Sequence, residues 1–382
     1  MYKGYSFKST SMIFILLLII SASCSIDSSK PKESNKIFFT KSNQTLGTTR
    51  TFGLSIEDID QDDDYDVLIC NYIGASKLWL NDGAGKFVMS RQIFNHGEAH
   101  DVGIADLNGD EYPDIFFVNH ATPSKIYFND GEGNFTDSGQ NIGSTEEYPG
   151  MIILGDVDND GDVDAFISHY QIPNRLWLND GKGYFTKSDT EFCVGEDPGH
   201  MELDDFNGDK YLDLFLCMTN APDQVWLNDG KGNFVNTGQA LGSRTGNEGV
   251  TSQDIDGDGD NDVIVANNKE GLKIWLNQSN KGIFVESGDY FGENVSLTIK
   301  LFDADLDGDP DLITTHHSVN ECQLWLNDGK GNFTFFEKPF GNLRAFAIGC
   351  RDIDGDKDLD VVFGQEEGSG GNPIFINATK QE

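Results

Sequence analysis

Basic residues are scarce in this chain. Twenty-seven Lys plus Arg stand against 64 Asp plus Glu, a formal net charge of −37, which repels nucleic-acid phosphates and anionic lipid surfaces. Cysteine is equally sparing. Apart from Cys24, the five cysteines are Cys70, Cys193, Cys217, Cys322 and Cys350, an odd number without regular spacing, so no disulfide framework is expected. Cys70 and Cys217 fall at one place in two similar apolar runs, VLIC and LFLCM, and are expected in the core. Long apolar runs are confined to Met12–Ile20, too short to span a bilayer comfortably. Catalytic signatures are missing as well: no Ser-His-Asp order has a supporting motif, and no isolated carboxylate pair stands out. The content of apolar residues is not low, at 37% hydrophobic and 11% aromatic, which excludes a disordered acidic chain. A folded, cation-binding protein is the reading these facts leave.

Residues 1–23 read as a signal peptide: Lys3 and Lys8, then the Met12–Ile20 run, then Ser21-Ala22-Ser23. Small residues directly before Cys24 resemble the bacterial lipoprotein cleavage box, which predicts lipidation of Cys24 and an anchor at the bacterial cell envelope. Simple secretion is the alternative. Residues 24–36, rich in Ser and Lys, then form a flexible tether, followed by a folded domain over 37–377 and a tail over 378–382.

What is abundant is a repeat. The segment DVDNDGDVDAFI recurs with first aspartates at Asp58, Asp106, Asp156, Asp205, Asp254, Asp303 and Asp352, spaced by 48 to 50 residues. LWLNDGKGNF-like segments follow, in which Asp-Gly between apolar runs signals a tight hairpin. Each unit reads as strand, acidic loop, strand, loop, strand, hairpin, strand. The strand after the acidic loop is continuously apolar, as in IFFV and VIVA, so both its faces are covered. Seven such units predict an all-β fold, a seven-bladed β-propeller of four-stranded antiparallel blades, expected to be monomeric. The seventh unit lacks its last strand, and Ile37–Thr40 precedes the first unit at the matching spacing. That segment is predicted to close the ring beside Ile374–Asn377.

Loop positions 1, 3, 5 and 9 carry oxygen ligands throughout. They are Asp58, Asp60, Asp62 and Asp66; Asp106, Asn108, Asp110 and Asp114; Asp156, Asp158, Asp160 and Asp164; and Asp205, Asn207, Asp209 and Asp213. The remaining three sets are Asp254, Asp256, Asp258 and Asp262; Asp303, Asp305, Asp307 and Asp311; and Asp352, Asp354, Asp356 and Asp360. Several carboxylates within nine residues repel unless a cation neutralises them, and an all-oxygen set suits Ca2+, up to seven ions in all. Aspartates also populate solvated turns, but seven registered copies argue against that. The loops begin like an EF-hand, yet position 12 is a strand residue in each, from Ile69 to Phe363, not the closing Glu.

These loops, together with the hairpin segments, resemble the FG-GAP and VCBS repeats, the family that includes the integrin α-subunit propellers, over about Ile37 to Asn377. The resemblance implies calcium between the first two strands of each blade, on a lower face, and ligand contacts on the upper face. Position 6, usually Gly in that family, is Asp63, Glu111, Lys210 and Lys357 in four units and Gly161, Gly259 and Gly308 in three. A left-handed backbone there would cost a residue with a side chain about 1 kcal/mol or more, so units three, five and six are expected to bind best.

His100, His120, His169 and His200 are expected near the upper face or the channel, in ordinary loop and packing roles before a metal or catalytic one. Trp79, Trp177, Trp226, Trp275 and Trp325 sit between apolar residues and are expected in the interblade core. The polar and aromatic residues that follow the apolar strands, Tyr72, His120, His169, Tyr170 and His316, are candidate ligand contacts. Function reads as non-enzymatic recognition or adhesion with a protein or carbohydrate ligand. A cell-surface assembly scaffold and a polysaccharide-active enzyme are the alternatives; the scarcity of Lys and Arg weighs against an enzyme acting on acidic sugars.

Overall fold

The computed structural model describes residues 37–95, 97–170, 172–193, 198–242, 246–267, 270–292, 298–316, 321–336 and 339–379. The signal segment, Cys24 and the tether lie outside them. The described residues form 28 strands, β1 to β28 in chain order, in seven four-stranded sheets. Blade 1 comprises β2 (Thr51–Glu57), β3 (Asp66–Asn71), β4 (Ser76–Leu80) and β5 (Val88–Phe94), hydrogen-bonded in that order. Blades 2 to 6 repeat this meander.

Blade 7 is composite. β26 (Ala345–Arg351), β27 (Asp360–Gln365) and β28 (Pro373–Asn377) are completed by β1 (Phe39–Thr45), which pairs antiparallel with β28. Phe39 faces Asn377 and Lys41 faces Phe375. The predicted closure is therefore present, with the strand itself starting two residues later and running to Thr45. Without it the outer edge of blade 7 would be an open template for strand pairing.

The continuous apolarity of the second strands has a direct structural cause. Every residue of β3, β27 and their counterparts is buried. In β3, Leu68 and Cys70 pack toward blade 2, and Val67 and Ile69 pack toward blade 7. A strand that alternates between two neighbours has no wet face. The buried core accordingly divides into seven clusters, one for each blade interface. Cys70 and Cys217 are fully buried in two of these, as expected, and the five described cysteines are free thiols.

All five tryptophans pack at blade interfaces, as expected, but four of them reach only the margins of the clusters. Only Trp275 is buried; Trp79, Trp177, Trp226 and Trp325 lie half-buried at the edges of the clusters. They stand on third strands, farther from the axis, where blades splay apart. Trp226 donates from Nε1 to Gln224 Oε1 at 3.0 Å.

Candidate metal loops and the channel rim

Each acidic loop joins a first strand to a second strand, so all seven emerge at one end of the ring. Local geometry follows from carboxylates that accept hydrogen bonds from their own loop. Asp58 Oδ1 accepts from the Asp62 N–H and its Oδ2 from the Asp63 N–H, and Asp62 Oδ1 accepts from the Asp64 N–H. The same pattern recurs around Asp205 and Asp254. Such wrapping forces a left-handed residue at position 6 in every loop, including the non-glycines Asp63 (φ 70°), Glu111 (72°), Lys210 (75°) and Lys357 (80°).

Position 4 is left-handed too, a requirement absent from the sequence reading. It is Gly in four loops, and Gln61, Asn159 and Leu306 in the others, with φ of 58°, 60° and 62°. Asn tolerates this region and Leu does not. Loop five, with Gly257 and Gly259, is thus the least strained, and loop six carries strain at Leu306 that its Gly308 does not relieve.

Carboxylate oxygens converge in five loops. Three lie within 4.8 Å of one another in Asp58/Asp60/Asp62, Asp156/Asp158/Asp164, Asp254/Asp256/Asp262, Asp303/Asp305/Asp311 and Asp352/Asp354/Asp356. In loops two and four, position 3 is the amide of Asn108 or Asn207. The clearest feature suited to a cation is at position 3. Asp60 Oδ1, Asp158 Oδ1 and Asp354 Oδ1 are buried without any hydrogen-bond donor. Burial, then repulsion from Asp62, raises the Asp60 carboxyl; burial, then repulsion from Asp160 or Asp356, raises Asp158 and Asp354. Oxygen-only donors of high charge, buried and unsatisfied, fit a hard cation such as Ca2+.

Position 9 has a second role. In each loop its Oδ2 accepts from the N–H of position 2, from Ile59 at 3.1 Å in the first to Ile353 at 2.9 Å in the last. Its Oδ1 accepts from the N–H of the hairpin Asn in the same blade, Asn81, Asn129, Asn179, Asn228, Asn277, Asn327 or Asn377. That Asn then donates from Nδ2 to the position-2 carbonyl of the preceding blade. Each acidic loop is therefore stitched to the next blade. Burial pushes the position-9 carboxyls Asp66, Asp114, Asp164, Asp213, Asp262, Asp311 and Asp360 up to about 7, against the pull of these backbone donors. The signal was available in the sequence, since one Asn recurs at the end of every LWLN-type segment.

At the opposite ends of the same strands the rim is asymmetric. Phe346 of blade 7, Phe52 and Tyr72 of blade 1, His100 and His120 of blade 2, and Tyr148 and Tyr170 of blade 3 form one arc, with neighbouring rings 4.9 to 6.4 Å apart. Arg50 lies 4.5 Å over the Phe52 ring. Tyr148 and Tyr170 are exposed. His100 donates from Nδ1 to the Gly150 carbonyl at 2.8 Å, and burial holds its pKa down at about 4.

Of the predicted ligand contacts, Tyr72, His120 and Tyr170 stand in this arc. His169 and His316 do not: both are buried, His169 at 3% exposure on the end of a second strand and His316 at 0%. His200 lines the channel with His100. Phe52, Arg50 and Phe346 were not foreseen, although Phe52 and Phe346 share one repeat position, six residues before the first loop aspartate, and Arg50 and Arg344 share another, eight before it.

A family model described as "FG-GAP-like repeat" matches residues 58–117, 106–167, 205–265, 254–314 and 303–363. No curated protein matches the chain. Among solved structures, BBS1N in complex with ARL6DN is similar with a TM-score of 0.62 and 10% identity, covering 90% of this chain and 97% of that one. Saccharomyces cerevisiae Sqt1 has a TM-score of 0.60 and 11% identity, covering 91% and 100%. At such identities the likeness concerns the fold alone.

Proposed function

The chain belongs to the FG-GAP-like repeat family, and from that membership we propose that it is an exported, calcium-binding, non-enzymatic recognition module for a protein or carbohydrate ligand. The observation that carries the reading is the division of labour along each inner strand. Carboxylates gather at one end, and an arc of aromatic rings with Arg50 gathers at the other. Calcium in the loops fixes the blades relative to one another through the hairpin asparagines, and this holds the arc in one geometry. Exposed aromatic faces beside His120 and Arg50 suit stacking and hydrogen bonding to a ligand. The similar fold of BBS1N is seen in complex with ARL6DN, which is in keeping with a protein partner. Export rests on residues 1–23 and envelope anchoring on Cys24.

The test is capture of glycans and surface proteins on arrays by the purified chain in millimolar calcium. Tyr170→Ala and His120→Ala should abolish capture while calcium-dependent melting stays intact. Capture insensitive to both substitutions but lost in Lys210→Ala or Lys357→Ala would move the ligand to the calcium face. Labelled fatty acid should enter the wild-type chain in a bacterial host and not Cys24→Ala.

A further inference from the structure

The inner strands of all seven blades wall a cavity of 540 Å³ that opens at the aromatic arc. A second cavity of 360 Å³ adjoins it toward the calcium face, and the two share Lys300, Ser55 and Thr251. Both volumes fall within the range of small-molecule pockets.

Charge inside the channel is sparse and uneven. One level of the ring, three residues before each first loop aspartate, consists of Ser55, Gly103, Ile153, Glu202, Thr251, Lys300 and Gly349. Only Glu202 and Lys300 are charged there. Lys300, on strand β22 (Ile299–Phe302), is exposed into both cavities, and among the described residues its ammonium has no hydrogen bond or ion pair. The other basic groups near the axis are engaged. Arg351 pairs with Glu57 at 3.3 Å, and Arg50 and Arg344 reach Glu366 at 4.0 and 2.6 Å. The acids of the channel are tied to neighbouring blades: Asp101 Oδ2 accepts from the Ile152 N–H at 3.0 Å, and Ser252 Oγ donates to Asp204 Oδ2 at 2.6 Å and lies 3.4 Å from Glu202 Oε1. The field of Lys300 reaches the carboxyls of Asp101 and Glu202, but those acids have their hydrogen-bond donors while the N–H groups of Lys300 have no acceptor among the described residues.

We propose that the central channel binds the acidic end of an oligosaccharide, with a sugar carboxylate on Lys300 and the adjoining ring against Phe52 and His100 at the mouth. The proposal rests on the recognition function above and names its ligand class. Phe52 and the Lys300 level are three residues apart along the inner strands, about 10 Å at about 3.3 Å per residue, so the ligand must span more than one ring. Between them the wall offers the Thr298 hydroxyl, which donates to the Phe346 carbonyl at 2.7 Å and keeps its lone pairs, and the imidazole of His200, held neutral by burial at about 3; Ser55 and Thr251 add hydroxyls at the Lys300 level. Hydroxyl-bearing rings suit such a wall better than an apolar chain does. An ammonium whose N–H donors are open to a channel confers specificity for a carboxylate over its neutral analogue.

The test is calorimetry on the full chain in calcium with cellobiouronic and digalacturonic acids, with cellobiose as the neutral counterpart and a short acetylated peptide as a second carboxylate source. At least one acidic disaccharide should bind, with cellobiose and the peptide about tenfold weaker or more. Lys300→Met should lose that difference and Lys300→Arg keep it, with the melting temperature in calcium unchanged in both. The proposal is overturned by binding that ignores Lys300→Met, by equal affinity for cellobiose, by preference for the peptide, or by no binding of either acid. If array capture still depends on Tyr170 and His120 in any of those cases, the recognition function stands and only the channel assignment falls.

Discussion

Asn81 Nδ2 donates a 2.7 Å hydrogen bond to the carbonyl of Ile353, joining the first blade to the last across 272 residues of chain. The position-2 residue it reaches, Ile353, also donates its N–H to Asp360 of its own loop. The bond that closes the ring is thus the same bond that couples each acidic loop to its neighbour, repeated at the one place where the chain does not run on. β1 makes the second closure, on the outer side of the same blade.

Both closures can be broken separately. Asn81→Ala leaves a buried carbonyl unpaired and should cost about 1–3 kcal/mol in denaturant unfolding. Asn179→Ala, at an interface within the continuous chain, should cost about the same. Deleting residues 37–46 removes β1 and Leu46, and should abolish hydrogen-exchange protection over 360–377 while leaving blades 2 to 5 protected. Unchanged protection in blade 7 would show that β1 is not its completing strand.

Calcium is expected to supply much of the stability. Extracellular oxygen-ligand sites bind with dissociation constants of about 0.1–1 mM, so about 1 mM free calcium contributes roughly 0.4–1.4 kcal/mol per occupied site. Calorimetric melting should shift upward by many degrees between excess chelator and a few millimolar calcium. Asp158→Ala removes an orphaned oxygen of the third loop and should lower the fitted stoichiometry by one. Coincident melting curves in chelator and calcium would falsify the metal assignment.

The position-9 aspartates set a pH dependence whose sign reverses with the metal. Without a cation their carboxyls titrate near 7 in the fold, against a reference of 3.8, so the folded state holds more protons than the unfolded chain between those values. Stability of the calcium-free protein therefore falls as pH rises through about 7. Calcium takes the ionised carboxylates, so its increment grows over the same interval. His100, His169 and His200, pushed down by burial to about 4, 4 and 3, act oppositely below about 6.5, and the comparison belongs between pH 6.5 and 8. Melting in chelator should drop across that interval and the calcium-induced shift should widen. A chelated protein that gains stability from pH 6.5 to 8 would contradict the assignment.

Left-handed positions predict stabilising substitutions. Leu306→Asn and Lys357→Asn place a tolerant residue at φ 62° and 80° and should each stabilise by roughly 0.5–1 kcal/mol. Gly257→Ala should destabilise its loop by a similar amount and weaken calcium there. Denaturant midpoints in chelator read the backbone term without the metal.

By itself the sequence determined the architecture. Seven registered Asp-rich loops, continuously apolar second strands and a missing last strand imply blades, their number and their closure, because period and burial pattern are local properties that every repeat states again. The hairpin Asn was equally visible as a recurring letter, but its partner lies in the preceding blade, and a hydrogen bond between units cannot be read from within one unit. Position 4 escaped for a related reason: Gly, Asn, Gln and Leu share no chemistry there, only a backbone angle. Tertiary structure alone decided the functional surfaces. His169 and His316 follow apolar strands just as His120 does, yet burial removes them from the rim. Phe52, Arg50 and Phe346 come together around one opening although they belong to the two ends of the chain. Lys300 has no counterpart in any other repeat, and only the closed ring sets it in a shared channel with Asp101 and Glu202.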